Sequence, residues 1–228
     1  MNLTDFITTT FTNPNSTKRT KILNECILDE FKKDNPQYAM LNWKYECKLR
    51  DSYNLKNKDE NGNWDGTWSF HKKYGFFQVD IAGFDDNNIP KIVILNKSLN
   101  NNILQNIFNY PNTTLGEADR LLLGPHRNDI EQLFFVTIYP NKTPYFYEGG
   151  KIKRIENVVE RMKWADASEM LYEKYGDKIK LVVYTYDIND LSQYTHKSQF
   201  QQGITISNLQ KYESDFSRRL YSDYVHTS

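Results

Sequence analysis

The stretch Gln132-Leu-Phe-Phe-Val-Thr-Ile-Tyr139 is apolar at nearly every position, and it limits the possible fold more than any other part of the chain. A strand with one wet face alternates apolar and polar side chains; a strand covered on both faces reads as an unbroken β-branched and aromatic run. This run is too short for a membrane helix and has the length of a central strand. Ile179-Lys-Leu-Val-Val-Tyr-Thr-Tyr186 is similar, and Val158 to Tyr175 between them has a helical pattern. Covered strands joined through a helix call for a layered α/β arrangement.

The remaining elements fit that frame. Ser16 or Thr17 is placed to cap a helix running to about Lys33, with Ile22, Leu23, Cys26, Ile27 and Phe31 on one face. Glu30 projects from the middle of that face at about 100° per residue. A carboxylate there needs a partner, a metal or a cavity opening; the alternative is a small drift that leaves it at the rim beside a lysine. Leu41 to Leu49 reads as a strand, followed by strands over Gly75 to Gly83 and Lys91 to Ser98. The connector Phe84-Asp-Asp-Asn-Asn-Ile-Pro90 has turn chemistry. Helices are expected over Asn100 to Tyr110 and from about Thr114 to Leu123, where Gly124-Pro125 is a stop signal. A last amphipathic helix is expected over Ser207 to Tyr224, through Leu209, Tyr212, Phe216 and Leu220. The fold class is α/β, a mixed central sheet flanked by helices. Residues 1–228 read as one domain, with the polar segment 52–65 as a loop or hairpin insertion.

Composition removes several classes of function. Lys and Arg (29) balance Asp and Glu (29), which argues against a histone-like binder but leaves room for a local basic groove. Two cysteines, Cys26 and Cys47, make neither a disulfide framework nor a zinc site, and the four histidines lack ligand spacing. There is no nucleophile elbow, phosphate-binding glycine loop or dinucleotide fingerprint. No run has the apolar length of a membrane span and the polar N-terminus does not read as a signal peptide, so a cytoplasmic protein without membrane contact is expected.

The residues with the strongest chemistry are Asp80 and Lys97, at the ends of the runs Gly75-Phe-Phe-Gln-Val-Asp80-Ile-Ala-Gly83 and Lys91-Ile-Val-Ile-Leu-Asn-Lys97-Ser. Alternation puts Val93, Leu95 and Lys97 on one face of their strand. If Asp80 opens onto the same cleft, its carboxylate can hold Mg²⁺ while the ammonium orients water or meets developing phosphate charge. Val79-Asp80, fourteen residues and then Leu95-Asn96-Lys97 resembles the PD-(D/E)XK nuclease superfamily, the restriction-endonuclease-like fold. The resemblance covers roughly residues 16 to 140 as element order and two of the three motif residues.

That resemblance implies a Mg²⁺-dependent DNA endonuclease, with Mn²⁺ as a substitute ion, acting on double-stranded DNA as a homodimer and leaving a 5′-phosphate. Asp80 and Glu30 would bind metal and Lys97 would position the nucleophile. Leu95 departs from the pattern, which has an acid there. Glu117 or Asp119, or Glu46 on the first strand, could supply the relocated acid, although a wheel drawn through Leu115, Ala118 and Leu122 sets Glu117 nearly opposite the buried face. The alternative is a catalytically silent module that binds DNA or a protein. His71, Lys72 and Lys73, beside Trp68 and Phe70, and Arg127 in the loop after the helix stop are candidate DNA contacts, or else solvated turns. The basic groups Lys151-Ile-Lys-Arg154, Arg161 and Lys163 read as a solvated face.

Overall fold

The computed structural model describes residues 1–10, 16–50, 76–99, 103, 109–147, 151–158, 164–193 and 204–213. The segment 52–65 and His71, Lys72 and Lys73 lie outside these residues. In chain order the helices are α1 (Leu3–Thr10), α2 (Ser16–Asp34), α3 (Asn109–Leu122) and α4 (Trp164–Tyr175). The strands are β1 (Asn42–Arg50), β2 (Phe76–Phe84), β3 (Pro90–Ser98), β4 (Gln132–Pro140), β5 (Lys142–Phe146), β6 (Ile152–Asn157), β7 (Ile179–Ile188) and β8 (Ile206–Glu213).

Six strands form one mixed sheet in the order β1-β2-β3-β4-β7-β8, and β5 and β6 pair as a separate hairpin. β1, β2 and β3 are the expected antiparallel meander; β4 runs parallel to both β3 and β7; β8 closes antiparallel on β7. Every residue from Leu133 to Pro140 is buried, as the unbroken apolar run requires of a central strand.

Helices cover both faces. On one, α1 and α2 bury Phe6, Ile27 and Phe31 against Ile94, Val136 and Tyr184, with the Phe31 ring edge-on to Phe134 at 4.9 Å. On the other, Ala118, Leu121 and Leu171 from α3 and α4 pack on Val93, Leu95, Phe135 and Leu181. α3 and α4 share a face because the crossovers β3–β4 and β4–β7 step the same way across the sheet with a common hand. Among the described residues no helix is long and apolar enough to cross a membrane.

The β2–β3 turn is built from its own side chain: Asp85 Oδ1 accepts from the N–H groups of Asn87 (3.0 Å) and Ile89 (2.9 Å), and Asn88 takes a φ of +59°. Gly83 is needed for packing. A Cβ there would lie 2.9 Å from Leu41 Cδ1 and 3.0 Å from the Trp43 ring, which lies across β2.

The helix expected over Ser207 to Tyr224 is corrected as far as Glu213: residues 206–213 form β8, the sixth strand of the sheet, and 214–224 lie outside the described residues. Leu209 and Tyr212, three apart as on a helix, lie on opposite faces of this strand, and a bulge precedes them. Asn208 has φ +51° and the register with β7 slips by one between Thr185 and Asp187, so Ile206 and Leu209 pack on the α2 side. Tyr212 packs on the other side, with Tyr139 and Val183. The expected helix after Lys97 lies mostly outside the described residues, Ile103 being helical, and α3 begins at Asn109 rather than near Thr114. Helix α1 and the β5–β6 hairpin were not expected from the sequence.

Candidate functional site

The site lies where the regular pleat of β1 and β2 breaks. In β2, Phe77 and Val79 pack toward α3, and so do Ala82 and Phe84, whereas Ile81 packs toward α2. Strict alternation cannot give that pattern, so one step is inserted at Asp80. β1 breaks level with it: Trp43 packs on the α2 side, while Cys47 and Leu49 pack on the α3 side. Pairings Tyr45↔Ile81 and Cys47↔Val79 set Glu46 opposite Asp80. Glu46 has φ +48°, a left-handed conformation that costs a non-glycine residue on the order of 1–2 kcal/mol. The β2–β3 ladder ends at Ile81↔Ile94, so the strands part beside Asp80.

Asp80 fills the gap with its side chain. Its Oδ2 accepts the N–H of Asn96 at 2.8 Å, and its main-chain carbonyl accepts from Asn24 Nδ2 at 3.3 Å. Asn96 Nδ2 in turn donates to Asn24 Oδ1 at 2.8 Å. These two buried amides link α2 through the sheet to the carboxylate and fix its backbone. Sequence reasoning missed both. The available signal was a polar side chain inside each of two otherwise apolar stretches, Leu23-Asn24 and Leu95-Asn96.

Lys97 follows Leu95 on the α3 side, and its Nζ lies 3.2 Å and 3.4 Å from the two carboxylate oxygens of Glu117. Both side chains are partly exposed, Lys97 more than Glu117. The wheel drawn from the sequence misplaced Glu117. The buried face of α3 is set by Thr114, Ala118, Leu121 and Leu122, with Leu115 only half-buried, and this turns its centre toward Glu117. Glu117 therefore flanks the buried face and meets the end of β3.

Burial pushes the Asp80 carboxyl up to about 6; the Asn96 N–H opposes the rise, the negative charges of Glu117 and Glu46 add to it, and Lys97 lowers it. Two acids and one ammonium therefore act on a largely buried carboxyl, and negative charge outweighs positive around it. Asp80, Glu117 and Glu46 offer only oxygen donors, which suits Mg²⁺, an ion bound through one or two carboxylates plus water and phosphate. Among the described residues no three His, Cys, Asp or Glu side chains converge as a ready-made metal cage.

The other candidates fall elsewhere. Glu30 is held by Lys33 at 2.7 Å, the rim arrangement, and its charge acts on Tyr184 and Cys26. The charges that act on Asp80 are those of Glu117, Lys97 and Glu46. Arg127 is exposed in the loop before β4, whose start is tied to the start of β3 by Glu131 N–H donating to Lys91 O at 2.8 Å. Lys97 is at the carboxyl end of β3, so Arg127 sits at the opposite end of the sheet. A cavity of about 20 Å³ beside Phe31, Asp34, Tyr184 and Lys211 has room for one water and none for a substrate. No family model, no curated protein and no solved structure matches this chain.

Proposed function

We propose that this chain is a Mg²⁺-dependent DNA endonuclease of the restriction-endonuclease-like, PD-(D/E)XK kind, in which Glu117 on α3 supplies the acid that Leu95 lacks. The observation that supports this most directly is the Lys97–Glu117 pair, whose charges both act on the Asp80 carboxyl, at the end of the sheet where parallel β-strands finish. A mixed sheet with the aspartate and the lysine on adjacent antiparallel strands agrees with it.

Asp80 and Glu117 would hold the divalent ion, with Glu46 beside them; Mn²⁺ would substitute for Mg²⁺. The ion would supply positive charge to the phosphate and lower the pKa of bound water. Lys97 would orient the attacking water and meet the charge that grows on the non-bridging oxygens. Water attacks phosphorus in line, the bond to the 3′ oxygen breaks, and the products are a 5′-phosphate and a 3′-hydroxyl. Asn24 and Asn96 would be positioning residues, holding the Asp80 main chain and one carboxylate oxygen in place. A cytoplasmic homodimer acting on double-stranded DNA belongs to this reading, since cutting both strands asks for two sites.

A second reading, a catalytically silent DNA- or protein-binding module, is favoured by the buried Leu95 and by the Lys97–Glu117 ion pair, which occupies the replacement acid. Plasmid incubated with Mg²⁺ or Mn²⁺ separates the two. The enzyme reading expects nicking that Asp80→Asn and Lys97→Ala each reduce by about 10²-fold or more. Nicking unchanged in both variants removes the site, and intact plasmid with retained DNA binding selects the second reading.

A further inference from the structure

The β5–β6 hairpin is absent from the site described above, yet it carries an unusual surface. Residues 142–157 hold four basic side chains against two acidic ones, in a chain whose overall balance is zero. Tyr145 on β5 and Tyr147 just past its end are both about half exposed. Pairings Tyr145↔Arg154 and Phe146↔Ile152 leave Lys153 as the extra residue of a bulge on β6. A bulge turns two successive side chains to one side. Lys153 Nζ accordingly lies 5.9 Å from the Tyr145 ring centre and 5.3 Å from that of Tyr147, and the Arg154 guanidinium lies 5.1 Å from Tyr145.

The two cations differ in what else they touch. Arg154 is bonded to the buried carboxylate of Glu156, which compensates its charge. Lys151 and Lys153 have no carboxylate partner among the described residues and are exposed. The rings hold Lys153 extended over an aromatic platform, so less side-chain entropy is lost when its ammonium meets an anion.

The hairpin also stands at the correct end of the sheet. Lys97 is level with Thr137 on β4, and β5 begins at Lys142, five residues farther along the chain. Asn141 N–H ties that junction to Tyr186 O at 2.7 Å, at the carboxyl end of β7. Five residues of chain reach at most roughly 17 Å, about half a turn of duplex DNA. A two-stranded ribbon is also narrow enough for a major groove.

We infer that the β5–β6 hairpin is a DNA-backbone arm, in which Lys151 and Lys153, racked on Tyr145 and Tyr147, contact phosphates of the duplex that the Asp80–Lys97 face engages. The inference rests on the nucleic-acid reading of that face, but it concerns binding and is tested without cleavage.

The test uses the full chain carrying Asp80→Asn, which keeps the DNA intact, and a fluorescein-labelled duplex of about two turns, followed by anisotropy between about 50 and 200 mM salt. Adding Lys151→Ala and Lys153→Ala is expected to weaken binding and to reduce the slope of log K against log salt by about 2, near 0.9 for each phosphate no longer neutralised. Tyr145→Leu with Tyr147→Leu keeps both charges, so it is expected to weaken binding several-fold at an unchanged slope. An unchanged slope in the lysine variant overturns the arm, as does no binding of duplex by the parent at low salt. Retention on phosphatidylserine vesicles in place of DNA overturns it too, because the surface would then be a membrane contact. In the otherwise wild-type chain, plasmid cut equally well without the two lysines removes the arm and leaves the nuclease. Lysine-dependent DNA binding with no cutting leaves the arm and removes the nuclease.

Discussion

Lys97 Nζ and Glu117 Oε1 lie 3.2 Å apart, joining the end of β3 to the middle of α3, and both charges act on the Asp80 carboxyl. In the proposed enzyme this pair would be a resting arrangement: Glu117 would have to leave the lysine to hold an ion, which would free Lys97 for water and phosphate. Glu117→Ala is therefore expected to abolish Mg²⁺-dependent nicking, by about 10²-fold or more, and to weaken Mn²⁺ binding measured by calorimetry. If Glu117 only restrains Lys97, the same variant would keep or gain activity.

The raised pKa of Asp80 makes a stability prediction of definite sign. A carboxyl held near 6 in the fold and near 4 in the unfolded chain binds more protons when folded, so stability is lost as pH rises through that interval. The loss is on the order of 2–3 kcal/mol above pH 7. Asp80→Asn keeps an oxygen for the Asn96 N–H and carries no charge. Its melting temperature is expected to exceed that of the wild type by several degrees at pH 8, and the difference is expected to vanish near pH 4. Mg²⁺ should close the gap at pH 8 by stabilising the wild type alone. Parallel melting curves at every pH would contradict a buried, destabilised carboxylate.

Leu95 is buried with Val93, Phe135 and Ala118, on the same face as Lys97. Leu95→Glu, which restores the motif on paper, is expected to cost on the order of 2–4 kcal/mol by burying an acid in an apolar layer. It should also bring no gain in nicking, because in the proposed enzyme Glu117 would already fill the role. Thermal melting and a plasmid assay on the same preparation test this. A stable variant with higher activity would mean that Leu95 disables the enzyme and that Glu117 does not replace the missing acid.

The sheet was legible because its signals are local. β4 and β7 are continuous apolar runs, and the 84–90 connector carries its own turn residues, Asp85 and Asn88. Asp80 and Lys97 could be placed on neighbouring strands for the same reason. Errors arose where backbone irregularity changed the period. Leu209 and Tyr212 match helical spacing but face opposite sides of β8 after the bulge at Asn208, and the left-handed break at Glu46 likewise falls on a residue that is not glycine. Contacts between distant segments, such as Asn24 with Asn96 or Lys97 with Glu117, depend on how helices rotate over the sheet, and that rotation is set by the whole buried face.

The left-handed backbone at Glu46 offers a last prediction, separable into conformation and charge. Glu46→Gly removes both the carboxylate and the cost of φ +48°, whereas Glu46→Ala removes the carboxylate alone. Glycine's looser unfolded chain offsets part of the gain, so the glycine variant is expected to be more stable than the alanine variant by about 0.5–1 kcal/mol. Both should weaken divalent-ion binding equally if the carboxylate faces the ion. Denaturant melts and Mn²⁺ titrations of the pair check the two effects independently. An alanine variant at least as stable as the glycine one would mean that the break in β1 carries no strain, and that Asp80 owes its place to the Asn24–Asn96 clamp alone.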